Sequence, residues 1–108
     1  MATTLPTADD VQELHQFIQD RNEEEWQHAR AAEDLPDAHF DSIRRLSNSN
    51  KLALAGTTAY LLATLSQGQT EQAARVWDYL TSCGEQWQEH PNWNNTWANP
   101  ARSALRQP

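Results

Sequence analysis

Leu52-Ala-Leu-Ala-Gly56-Thr-Thr-Ala-Tyr60-Leu-Leu-Ala-Thr-Leu65 decides the fold class. Apolar residues fall at almost every turn angle of a helix here: Leu52, Leu54, Tyr60, Leu61, Leu62 and Leu65, with alanines between them. A helix without a polar face is expected to be surrounded by others. The reading is therefore a central helix from about Lys51 to Gln67, with Gly56 and the alanines permitting close approach of neighbours. Fourteen residues interrupted by Thr57, Thr58 and Thr64 are too few for a ~30 Å hydrocarbon layer, which needs about 20. Gly68 stands where a C-terminal glycine would end the helix.

Working outward, Thr70 is placed to cap a further helix over Glu71 to about Glu89. Its stripe of Ala73, Val76, Trp77, Leu80, Cys83 or Gly84, and Trp87 keeps a 3.6-residue period. Trp77 lies inside that stripe and reads as core. Pro91 stops the helix soon after His90. Upstream, Ser47-Asn48-Ser49-Asn50 reads as a polar turn. A short helix, Asp37 to Ser47, precedes it with Phe40, Ile43 and Leu46 in one row. Pro36 marks a break. The first helix spans about Ala8 to Ala32, capped by Thr7, with Asp9 and Asp10 at the positive end of its dipole. Val11, Leu14 and Ile18 share its apolar face, bordered by Phe17. The same face then passes through Asn22 and Glu25. The helix is expected to bend, end, or project from the body there. The prediction is all-α: a small bundle of four helices with a Trp-rich C-terminal clasp. Residues 1–98 form one domain and 99–108 a flexible tail.

The totals agree with one small domain of 108 residues. Net charge is −7, from 15 acids and 8 bases. It is uneven: eleven acids and only two bases lie within residues 1–41. An acidic segment is repelled by nucleic acid and by anionic membranes. It favours a basic protein surface. One cysteine, Cys83, leaves no internal disulfide, and residues 1–7 carry no signal-peptide pattern. A cytoplasmic location is expected.

The segment Trp87-Gln-Glu-His90-Pro91-Asn92-Trp93-Asn-Asn-Thr-Trp97 resembles the C-terminal signature of a family of short actinobacterial proteins of unknown function. That signature reads aromatic-x-x-His-Pro-Asp/Asn-aromatic-x-x-x-Trp. The stretch from Asp9 to Ala32 is similar to that family's acidic first helix, which tends to end in Ala-Arg-Ala-Ala. The centre of the chain has no clear counterpart. The resemblance implies an actinobacterial or actinophage origin and supplies no activity and no catalytic residue.

Glu25-Trp-Gln-His28 has the spacing of a di-metal carboxylate bundle, in which both side chains face one ion. A second such pair is missing from the sequence, and the four histidines do not cluster as zinc ligands do. No glycine-rich phosphate loop or nucleophile elbow is present. No catalytic residue, metal or cofactor is assigned. His90 is read as an imidazolium meeting exposed carbonyls at a helix end. Trp87, His90, Trp93 and Trp97 form either a clasp over the last helix or a secondary interface. Asp20, Glu23, Glu24, Glu25 and Trp26 are the partner-binding candidates. Packing against Arg44 or Arg45 is the alternative for Trp26.

These features predict a non-enzymatic interaction module that presents an acidic N-terminal helix to a basic partner. An inhibitor or DNA mimic of phage or anti-defence type is one concrete form. Two alternatives stay open. One is a homo-oligomeric structural or adaptor subunit, paired through the polar half of the first helix. The other is a small-molecule binder or enzyme with a Trp-lined interhelical pocket near Trp77 and Tyr60.

Overall fold

The computed structural model describes residues 5–31 and 37–98, with the Phe40 side chain excepted. The expected break at Pro36 and the expected tail, 99–108, lie outside the described residues. Three helices make up the body: α1 (Ala8–Arg30), α2 (Asp37–Ser66) and α3 (Thr70–Gly84). Two short 3-10 turns, Glu85–Trp87 and Asn95–Trp97, follow. No strand occurs among the described residues.

α1 starts where its sequence directs. Thr7 Oγ1 accepts from the Asp10 N–H at 3.1 Å, and Asp10 Oδ2 accepts from the Thr7 N–H at 2.9 Å. This reciprocal capping box satisfies two donors that a helix start otherwise leaves open. Val11, Leu14, Phe17 and Ile18 are buried. α1 continues through Asn22 to Arg30, so the polar turn in its stripe does not end it.

α2 corrects the count of four helices. The predicted turn at Ser47–Asn50 is helical, and the second and third predicted helices are one. Ser and Asn are mediocre helix formers, at a cost below about 0.7 kcal/mol each. Ending and restarting a helix would leave four carbonyls and four N–H groups without partners. No glycine or proline enforces a stop there. Lys51 Nζ also ties this stretch to Glu23 of α1 at 3.1 Å.

α2 is not wrapped on all sides either. Leu54, Thr58, Leu61 and Thr64 are buried, whereas Leu52, Ala55, Gly56, Ala59, Tyr60 and Ala63 are exposed. The helix ends at a Schellman motif. Gly68 takes φ +71°, its N–H donates to Leu65 O at 3.2 Å, and the Gln69 N–H donates to Thr64 O at 2.9 Å. α3 begins at Thr70, but its N-cap is Gln69 with no side-chain hydrogen bond, so Thr70 does not cap it.

Ala73, Leu80 and Gly84 are the buried line of α3. Trp77 packs against the core only in part. α3 stops at Gly84, earlier than expected, because the chain must turn back over α1. A Cβ at Gly84 would stand 3.1 Å from the Trp93 ring and 3.2 Å from Leu14 Cδ1. Glycine here lets the returning indole and α1 close together. Past Arg21, α1 has no further buried residue, and α2 before Leu54 has none among the side chains described. These two stretches form a two-helix projection beyond α3. No helix among the described residues is long and apolar enough to cross a membrane.

Candidate functional site

The C-terminal clasp closes on Phe17. Its ring centroid lies 5.3 Å from Trp97, 5.7 Å from Trp93, 5.8 Å from His90 and 6.4 Å from Trp87. Trp93 and Trp97 meet edge to face at 5.2 Å. These distances suit the aromatic quadrupole, which favours edge and tilted contacts. Trp97 is buried, while Trp87 and Trp93 are half-buried. The sequence placed Phe17 at the border of a stripe. An aromatic one turn above Leu14, with three tryptophans downstream, was the only signal for its role as hub.

Arg21, buried on α1, locks the clasp. Its guanidinium carbon stands 5.0 Å from the Phe17 centroid. Nε and Nη2 donate to the two oxygens of Glu24 at 2.9 and 2.7 Å. Nη1 donates to His90 Nδ1 at 3.1 Å. The Asn92 N–H donates to the same nitrogen at 3.0 Å. Both groups are donors, so Nδ1 serves as their acceptor. His90 is therefore a hydrogen-bond acceptor in a turn beyond α3. Its Nδ1 is turned to Arg21 and the Asn92 N–H rather than to the carbonyls of a helix end. Cys83 is half-buried.

The five partner-binding candidates are distributed around α1. Consecutive helical residues step by about 100°, so Glu23 to Trp26 cannot share a face. Asp20 is exposed and accepts from Gln16 Nε2 at 2.8 Å. Glu24 is exposed beside Arg21. Glu23 turns toward α2. A hydrogen bond from Gln27 and then Lys51 hold its carboxyl below its ordinary value of 4.5. Glu25 accepts from Trp87 Nε1 at 3.1 Å, which ties the projecting half of α1 to the clasp. Trp26 is half-buried in a cleft of the projection, lined also by Arg30, Asp41 and Arg44.

One acidic stripe does remain on the solvent side of α1. Asp9, Glu13, Asp20 and Glu24 fall within a narrow arc and are exposed. Asp9, Glu13 and Asp20 have no cationic partner among the described residues. A separate polar seam joins α1 to α2. His15 Nε2 lies 3.0 Å from Gln19 Oε1, and His15 Nδ1 lies 2.8 Å from the buried Thr58 hydroxyl.

No group of three metal-capable side chains occurs among the described residues, and Glu25 and His28 are not joined by others. A cavity of about 220 Å³ opens between the helices beside Asn50, Leu54, Tyr79, Cys83 and Trp87. It is smaller than the usual 300–1,000 Å³ of ligand pockets. A more open depression of about 400 Å³ lies beside Tyr60, lined also by Gly56, Thr57, Arg75, Val76 and Tyr79; Trp77 lines neither.

No family model matches the chain. Neither a curated protein nor a solved structure matches it. The likeness to the actinobacterial family thus rests on the quoted residues alone.

Proposed function

We propose that the chain is a non-enzymatic interaction module that docks the acidic face of α1 on a basic protein surface. The observation that carries this reading is the stripe of Asp9, Glu13, Asp20 and Glu24, exposed along about 22 Å of helix. Three of its four carboxylates have no cationic partner among the described residues. Glu23 and Glu25 are instead drawn into contacts with Lys51 and Trp87, and Trp26 lines a cleft with Arg30, Asp41 and Arg44. The clasp residues Trp87, His90, Trp93 and Trp97 act in this scheme as the brace behind the docking helix.

Charge density narrows the partner. Four carboxylates over about 22 Å give one charge per ~5.5 Å, against one per ~1.7 Å of duplex. A single stripe therefore complements a basic patch on a protein. The DNA-mimic form, filling a nucleic-acid groove in a phage or anti-defence setting, needs Glu23 and Glu25 to contribute as well.

A pull-down from an actinobacterial lysate, at ~0.1 M and ~1 M salt, tests the docking. Captured partners should be lost at ~1 M, where screening acts within about 3 Å. The fourfold variant Asp9→Asn, Glu13→Gln, Asp20→Asn, Glu24→Gln should capture none. Partners indifferent to both changes would overturn the reading.

A further inference from the structure

Three carboxamides from three elements converge on the cleft of about 220 Å³: Asn22 of α1, Asn50 of α2 and Gln86 of the turn after α3. Gln86 spends one N–H on the Cys83 carbonyl at 2.9 Å and keeps its own oxygen free. Neither asparagine side chain makes a hydrogen bond among the described residues. Both stand inside helices, where asparagine is a mediocre former. Asn22 is also half-buried, one turn beyond Ile18 on the line where an apolar residue would continue the core. Polar groups withdrawn from water are ordinarily hydrogen-bonded. The chain's own packing therefore does not account for Asn22.

The rest of the lining is apolar and aromatic. Leu54 and Leu80 are buried parts of it. Tyr79, Cys83 and Trp87 recur at i, i+4 and i+8, so they line it along one face of α3 and the turn beyond. Trp87 is fixed in place, its Nε1 donating to Glu25 and its ring edge-on to Phe17. None of the described side chains lining the cleft is charged. Such a lining suits a flat, uncharged molecule with donors and acceptors along one edge. The volume is below the range for drug-sized ligands. It is above the ~150 Å³ that admits benzene. One ring system of nucleobase size therefore fits. A phosphate would find no cation among the described lining residues.

We propose that this cleft binds a free purine-type base, with adenine as its model, through the carboxamides of Asn22, Asn50 and Gln86. Asparagine and glutamine make two-point hydrogen bonds to the N6 and N7 edge of adenine. Bases also stack on aromatic side chains, here Trp87 and Tyr79. Asn22 lies about 160° around α1 from both Asp20 and Glu24. The cleft thus faces away from the acidic stripe, and base binding and partner docking use separate surfaces.

Isothermal titration of the full chain with adenine tests this, with indole and adenosine monophosphate as controls. Adenine should bind with a dissociation constant below about 1 mM, a reachable affinity for a ligand of about ten heavy atoms. Indole is as flat but leaves the amides unpaired, and should bind at least about 10-fold more weakly. Adenosine monophosphate should also be at least about 10-fold weaker, because its phosphate meets no cation. Asn22→Leu should weaken adenine at least about 10-fold without lowering the thermal midpoint, since leucine extends the apolar line of α1. Should that variant fail to fold, Asn50→Leu, at an exposed position, carries the same expectation. Cys83 is the single cysteine, so its alkylation by iodoacetamide reports on this cleft alone. Bound adenine should slow it. No adenine binding up to ~2 mM, or indole binding equally well, overturns the proposal. Binding that is unmoved by the asparagine variants, or that leaves Cys83 alkylation unchanged, overturns it as well.

Discussion

Arg21 shows how one side chain can turn a polar stretch of helix into a folding contact. It is a buried cation with a carboxylate, an imidazole and an aromatic face as partners. Hydrogen bonds to charged groups contribute about 1.5–3 kcal/mol each when buried. The Glu24 end is exposed, so its share is lower. Arg21→Met keeps most of the stem's packing and removes the donors. It should cost about 1–3 kcal/mol. Urea unfolding followed by tryptophan emission measures this, and an unchanged midpoint would show the network to be dispensable. In the sequence Arg21 looked like one of two bases in an acidic segment. Its burial depends on a segment about 70 residues downstream, and helical periodicity carries no information about that.

At the scale of elements, the start of α1 and the end of α2 were legible, whereas the middle of α2 and the cap and end of α3 were not. Thr7, Asp10 and Gly68 act within a few residues of where they stand, so local chemistry was enough to place them. Ser47 to Asn50 was misread because turn propensity competes with helix continuation. α1 settles that competition through Lys51 and Glu23. The apolar run from Leu52 to Leu65 correctly announced an all-α fold. It wrongly announced a wrapped helix, because composition cannot tell a face covered within the chain from one left open. Gly68 provides a clean test of the α2 terminus. A Cβ there meets nothing within 4 Å, so any penalty comes from φ +71° alone. Gly68→Ala should lose about 1–2 kcal/mol. Gly68→Asn should lose less, since asparagine tolerates that region. Equal thermal midpoints for the two variants would contradict this account.

Across the whole molecule, the long-range ties of α1 include the Phe17 hub, Arg21 to His90, His15 to Thr58, Trp87 to Glu25, and Lys51 to Glu23. The radius of gyration is 16.0 Å, above the ~13 Å of a compact domain of this size. The projection of α1 and α2 beyond α3 fits that value. The Lys51 tie has a pH signature. Gln27 first, and Lys51 second, favour the charged form of Glu23 in the folded chain. Its contribution to stability is therefore present above the ordinary value of 4.5 and is lost as pH falls through the lowered folded value. A carboxyl NMR titration should place Glu23 below 4.5, and Lys51→Met should move it upward. A midpoint at or above 4.5 in the parent would remove this tie from the account. The candidate site was half legible. The acidic excess was plain from counting, but its sorting into one free stripe and several engaged carboxylates required the neighbours of α1.

Lys51 is also the chain's sole lysine, set mid-way along its longest helix. An endoprotease specific for lysyl bonds therefore has a single place to cut, between Lys51 and Leu52. That bond becomes accessible only when the helix locally unwinds, so the rate of nicking is a clock for breathing of α2. Acylating reagents likewise find one side-chain amine. A dye attached there erases the positive charge facing Glu23 and loosens the contact it was meant to observe.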